Sequence, residues 1–115
     1  MNLSIISSII AQNQLELNQR LKKVPKSIKN IQLDVMDGSF VPSFSLDFDF
    51  KLPSSREYEA HLMVAHPEPW FSHYHKHINS VIVQYESQVH LEEFIALAKG
   101  YKKKVGIAIN PKTNI

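Results

Sequence analysis

The chain is 115 residues long, with 43% hydrophobic and 21% charged residues, a formal net charge of +2 and no cysteine. This is the composition of one folded domain, and it excludes disulfides and thiolate metal sites while being compatible with a reducing compartment. Positive residues are dispersed except at Lys102, Lys103 and Lys104, which read as a solvated helix end, so no nucleic-acid surface is expected.

The N-terminal stretch MNLSIISSIIAQNQ has an apolar run but no basic start and no small-residue cleavage site. It is a poor signal peptide and too short to span a bilayer, so no membrane association is expected. The run Leu3 to Ile10 predicts a first strand. QNQLELNQRLKKV follows, with Leu17, Leu21 and Val24 on one helical face and Asn13 paired with Glu16 in a cap-like arrangement. Ile31 to Met36 predicts the second strand. FDFKLPSSRE, interrupted by Pro53, is the weakest of the helical connections. Tyr58 to Val64 predicts the third strand, and PEPWFSHYHKHI a helix that starts at Pro67 or Pro69 and carries Trp70 and Phe71 as packing residues. Ser80 to Tyr85 predicts the fourth strand. HLEEFIALAKGYKKK places Leu91, Phe94, Ile95 and Ala98 at helical spacing, with Gly100 positioned to end the helix. Lys104 to Ile109 predicts the fifth strand.

These runs are rich in Ile, Val and Leu without clear alternation, as expected of parallel strands buried on both faces. Their starts, near residues 3, 31, 59, 80 and 104, give a repeated β/α unit with right-handed crossovers. An open doubly wound sheet and part of a (β/α)8 barrel both fit. A dinucleotide-binding open sheet usually has a glycine-rich first turn, and here that turn reads SSIIAQNQ. The reactive residues instead collect at the C-terminal ends of several strands: Ser8, then Asp34 and Asp37, then His61 and Met63, then Gln84 and Glu86. Barrel active sites are built at that end. Glu86 reads equally as a pocket contact or a strand-end acid. His73 and His77 are four apart, but their helix belongs to the outer ring, and no metal is expected there.

At LDVMDGSFVP, residues 33–42, and AHLMV, residues 60–64, the sequence resembles the ribulose-phosphate 3-epimerase family at its second- and third-strand signatures. VGIAINPKT, residues 105–113, resembles the fifth-strand segment, and SSII, residues 7–10, occupies the place of the first. The likeness runs over essentially the whole chain in the family's order. It implies a (β/α)8 TIM barrel, of which residues 1–115 are the N-terminal part of a single domain covering about the first five β-strands. It also implies a cytoplasmic isomerase of the pentose phosphate pathway that interconverts D-ribulose 5-phosphate and D-xylulose 5-phosphate by proton abstraction and return at C3. Allulose 6-phosphate is the alternative substrate.

The family's chemistry uses two aspartates on opposite faces of the pentulose 5-phosphate and a divalent metal, zinc or iron, with manganese and cobalt as further options. Carried over, Asp34 is a metal ligand and one of the acid/base groups, and His61 is a metal ligand at the substrate. Ser8, Met36 and Met63 line the substrate pocket. Taken singly, Asp34 reads as a solvated strand end and His61 as a satisfied core histidine; their joint placement inside two family-like motifs reverses both readings. Asp37 is the turn-maker of its Asp-Gly pair.

Three departures stand out. Gln32 occupies the place of a metal-ligand histidine, and a neutral amide oxygen is a weaker ligand for zinc or iron. Gln84 replaces a fourth-strand histidine, with a weakening of substrate contacts or of the groups that orient ligands expected. The chain also ends just past the fifth strand, before the second catalytic aspartate, a fourth metal ligand and the glycine-rich phosphate loops. The expectation is a fragment or truncated product, inactive alone, whose open sheet edges call for a homo-oligomer or for the missing half. The alternative is a non-catalytic barrel protein.

Overall fold

The structure, a computed structural model, describes residues 3–114. Its strands are β1 (Ile6–Ile9), β2 (Asn30–Asp37), β3 (Phe44–Ser45), β4 (Glu57–Met63), β5 (Ser80–Gln84) and β6 (Lys104–Ala108). All but β3 lie parallel in the order β1-β2-β4-β5-β6, so neighbours in space follow the order of the sequence. A barrel wall requires that order, whereas a doubly wound sheet reverses direction at its switch point. The short β3 pairs antiparallel with the end of β2.

Among the described residues, three α-helices connect the strands: α1 (Gln14–Lys23), α2 (Pro67–Tyr74) and α3 (Leu91–Gly100). As the sequence implies, the Asn13 side chain accepts from the Glu16 N–H at 2.9 Å, satisfying one of the free donors at the start of α1. Leu17 and Leu21 of α1, Phe71 of α2, and Phe94 and Ala98 of α3 are buried in one core with Ile9, Ile31, Leu33, Val35, Tyr58, Ala60, Leu62, Val81 and Val83 of the strands. Burying a Leu, Ile or Phe side chain fully contributes about 1.5–3 kcal/mol, so this layer of helix against sheet is the main source of stability.

The expectation that the strands are buried on both faces does not hold. Burial alternates along β2, β4 and the start of β5, and the face turned away from the helices is only partly covered. That second face carries Gln32, Asp34, Glu59, His61 and Ser80, whose polarity the runs of Ile, Val and Leu around them obscure in the sequence.

Two local features also differ. The connection between β2 and β4 contains no helix. Its backbone groups are satisfied by α1 and the loop before it: Gln14 accepts from the Lys51 N–H at 2.8 Å and donates to the Lys51 carbonyl at 2.9 Å, and Leu46 N–H donates to the Ala11 carbonyl at 2.8 Å. Phe50 is buried there, stacked on Tyr74 at 4.8 Å and Trp70 at 6.3 Å, so aromatic packing anchors the connection against α2. The second feature is the end of α3. Gly100 is its last helical residue, and the left-handed position falls on Lys102, with φ of 61°. The Lys103 N–H returns to the Ala98 carbonyl and the Lys102 N–H to the Lys99 carbonyl, both at 2.9 Å. This is a Schellman closure with lysine where glycine is usual.

Candidate active site

The site is set by strand register. Asp34 of β2 pairs with His61 of β4, and Met36 with Met63 one pleat further on, so all four side chains project to the face away from the helices, near the C-terminal ends of their strands. Gln32 lies one pleat before Asp34, opposite Ser8 on β1 and Glu59 on β4. Ser8 is exposed on that same face, on the edge strand. The structure thus brings Asp34, His61, Met36 and Met63 together and sets Ser8 one row towards the N-terminal end.

Asp34 Oδ1 is 3.8 Å from His61 Nδ1, with the two side chains 18% and 21% exposed. Burial pushes the Asp34 pKa up, with the neighbouring His61 opposing. A carboxyl so placed is a stronger base when ionised than one free in water. His61 Nε2 is in turn 2.6 Å from Gln84 Oε1 at the end of β5. Gln84, one of the few buried polar residues, contacts Glu86 Oε1 and Asn110 Oδ1 through its Nε2, each at 3.3 Å. Glu86 accepts from the Asn110 N–H at 3.1 Å. A hydrogen bond from the Thr113 side chain is the main cause of its lowered pKa. Glu86 is therefore part of a network that ties the end of β5 to the segment after β6, which resolves its ambiguity in the sequence. Asn110 was not singled out from sequence; its place just beyond the last strand, in NPKT, is the only local signal.

Asp37 does different work. Its Oδ1 accepts from the Ser39 and Phe40 N–H groups, each at 2.9 Å, and its Oδ2 from the Ala65 N–H at 2.8 Å. One carboxylate both closes the turn after β2 and ties it to the segment after β4. Burial pushes its pKa up, but these N–H donors together outweigh burial and bring it below the ordinary value. The following Gly38 has φ of 75°, and a Cβ there would meet the Phe44 ring.

The donor set fits a divalent cation in part. A carboxylate oxygen is a hard ligand and an imidazole nitrogen a borderline one, and both suit zinc or iron. Two ligands each about 2.1 Å from a tetrahedral cation lie about 3.4 Å apart, close to the observed separation of 3.8 Å. No third His, Asp or Glu completes a metal cluster among the described residues, which leaves Gln32 as the neighbouring donor on the same face. His73 and His77 form no such cluster either: α2 ends at Tyr74, and His77 belongs to a separate 3-10 turn, His75–His77, where it packs against Phe50.

Fold and site together define a class: a wall of a β/α barrel whose polar reactive groups gather at the C-terminal ends of adjacent parallel strands. The sequence comparisons narrow this further. The model described as "Ribulose-phosphate 3 epimerase family" matches residues 4–115, and the chain belongs to that family. It is 29% identical to a ribulose-phosphate 3-epimerase of Synechocystis over 97% of this chain and 52% of the relative. It is 32% identical to the chloroplastic ribulose-5-phosphate-3-epimerase of Arabidopsis thaliana over 92% of this chain and 41% of the relative. With the Bacillus subtilis ribulose-phosphate 3-epimerase it shares 28% identity over 98% of this chain and 55% of the relative. The chain spans about half the length of the curated relatives it matches. No helix among the described residues is long and apolar enough to cross a membrane.

Proposed function

We propose that this chain supplies the acid/base and metal-holding half of an epimerase site that acts at C3 of a pentulose 5-phosphate, interconverting D-ribulose 5-phosphate and D-xylulose 5-phosphate. The observation that carries this reading is the pairing of Asp34 with His61 on adjacent strand ends, 3.8 Å apart on one face. Asp34 and His61 would hold a divalent metal, zinc or iron first, with Gln32 as a weaker neighbour. A cation held there would supply Lewis-acid stabilisation of negative charge on the substrate oxygens. Ionised Asp34 takes the C3 proton, and the electron pair left behind moves towards the C2 carbonyl oxygen. Met36 and Met63 shape the apolar floor beside the reacting carbons, and Ser8 reaches the substrate from β1.

Proton removal and return on one face need Asp34 alone, whereas inversion needs a second acid on the opposite face. Epimerisation is therefore expected only where a second acid faces the substrate from the other side, whereas exchange of the C3 proton asks for Asp34 and a held cation. The same face of a family barrel would take a hexulose phosphate such as allulose 6-phosphate with little change near C3. Cytoplasmic residence and a place in the pentose phosphate pathway belong to this reading. Self-association as a homo-oligomer belongs to the same reading, with Ile5, Ile6, Ile10, Ile107 and Ile109 exposed among the described residues.

A second reading, a barrel relative that keeps the fold without catalysis, is favoured by one observation: no third His, Asp or Glu joins Asp34 and His61 among the described residues. Incubation of the zinc-loaded chain with D-ribulose 5-phosphate in D2O, followed by proton NMR at C3, separates the two. Exchange that disappears in Asp34→Asn supports the epimerase half-site. No exchange, together with no zinc held at Asp34 and His61, supports the non-catalytic relative.

A further inference from the structure

We propose that Gln84 is a positioning residue: it holds His61 as the tautomer protonated on Nε2 and so turns the Nδ1 lone pair towards Asp34. The inference rests on reading Asp34 and His61 as a ligand pair, and it reverses the expectation that glutamine at this position weakens the site.

The orientation of the Gln84 amide decides the matter. One end lies 3.3 Å from Glu86 Oε1, and the other 2.6 Å from His61 Nε2. An ionised carboxylate only accepts hydrogen bonds, so the amide nitrogen must face Glu86 and the amide oxygen must face His61. Asn110 Oδ1, also 3.3 Å from the amide nitrogen, adds a second acceptor on that side. The Asn110 N–H in turn donates to Glu86 Oε2 at 3.1 Å, which fixes the carboxylate that orients the glutamine. An amide oxygen only accepts, so His61 Nε2 must carry the proton. A neutral imidazole has one N–H, which leaves Nδ1 with a free lone pair 3.8 Å from Asp34 Oδ1.

The opposite tautomer would let Nδ1–H donate to Asp34 and leave Nε2 as an acceptor. It would require the amide to flip, with its oxygen set against the Glu86 carboxylate. At 6% exposure Gln84 has little water with which to relieve that contact. Gln84 thus selects a His61 able to act as a ligand over one that serves as a hydrogen-bond donor to Asp34. Groups that donate to or accept from the second ring nitrogen of a ligand histidine commonly set its affinity by about 10–100-fold.

The test is a two-bond 1H–15N correlation spectrum of the 15N-labelled full chain without metal, at a pH where His61 is neutral, with zinc affinity measured in parallel by titration calorimetry. The proposal expects His61 protonated on Nε2 in the wild type, mixed tautomers in Gln84→Met, and zinc affinity lower by about 10–100-fold in that variant. Asn110→Ala, which removes one of the acceptors that orient the amide, is expected to mix the tautomers to a smaller degree and serves if Gln84→Met does not fold. A wild-type His61 protonated on Nδ1, or a tautomer unchanged in both variants, overturns the proposal whatever the metal does. Nε2 protonation that responds to Gln84→Met, in a chain that never binds zinc, upholds the positioning role and overturns the ligand pair proposed for the epimerase site.

Discussion

Asp34 and Asp37 stand three residues apart, yet the same substitution should act on them with opposite sign. In Asp37→Asn the single remaining oxygen can keep the Ser39 and Phe40 N–H groups or the Ala65 N–H, but not both sets. The amide NH2 must then face an N–H donor. Hydrogen bonds to a charged group contribute about 1.5–3 kcal/mol each, and the part-open position of this turn favours the lower end. A loss of about 2 kcal/mol follows, a large share of a domain's usual 5–15 kcal/mol. It should appear as a fall of about 1 M in the urea midpoint. Asp37 has a depressed folded pKa, so its contribution is present above the unfolded value near 4 and fades as pH falls through the folded value. Asp34 has a raised folded pKa, so any stability it adds is present below the unfolded value and is lost as pH rises through the folded one. At neutral pH ionised Asp34 opposes folding, and Asp34→Asn should be neutral or stabilising. Urea unfolding of both variants at pH 7 and pH 4 checks this. Equal destabilisation by the two, or an Asp37→Asn within about 0.5 kcal/mol of wild type at pH 7, would refute the division of labour.

Gly38→Ala should cost about 1–2 kcal/mol in thermal or urea unfolding, because φ of 75° is unfavourable for an L side chain while the exposed Phe44 ring can swing clear of the new methyl. Lys102→Gly should stabilise by about 0.5–1 kcal/mol, since it places the usual residue at the left-handed end of α3. Gly100→Ala, helical with open space around its Cβ, should stabilise by a similar amount, about 0.5–1 kcal/mol; urea midpoints of the two single variants and the pair check both.

The repeated β/α unit was legible because each strand carries its own apolar signal and each helix its own punctuation, such as Asn13 before α1 and Pro67 at the start of α2, while the choice of a barrel over an open sheet came from the glycine-free first turn, the strand-end residues and the family resemblance. The pairing of Asp34 with His61 was legible only through the family resemblance, since neither residue is distinctive alone. What stayed hidden depends on partners distant in sequence. The loop after β3 forgoes a helix because Gln14 satisfies Lys51, 37 residues away, and nothing within FDFKLPSSRE says so. Lys102 takes a glycine's conformation although a glycine stands two residues earlier, so residue type was a misleading guide to the helix end. The contacts of Gln84 were hidden as well. Its amide nitrogen meets Glu86 and also Asn110, 26 residues on, and neither partner is apparent from the local sequence around Gln84.

In the proposed function, Asp34 and His61 hold a divalent metal for chemistry at C3. Zinc titration of the full chain by calorimetry, beside His61→Ala and Gln32→His, tests it most directly. One zinc per chain is expected in the wild type, abolished by His61→Ala and tightened about tenfold or more by Gln32→His, which adds an imidazole to the same face. Zinc binding that survives His61→Ala unchanged, or that Gln32→His fails to strengthen, would contradict it.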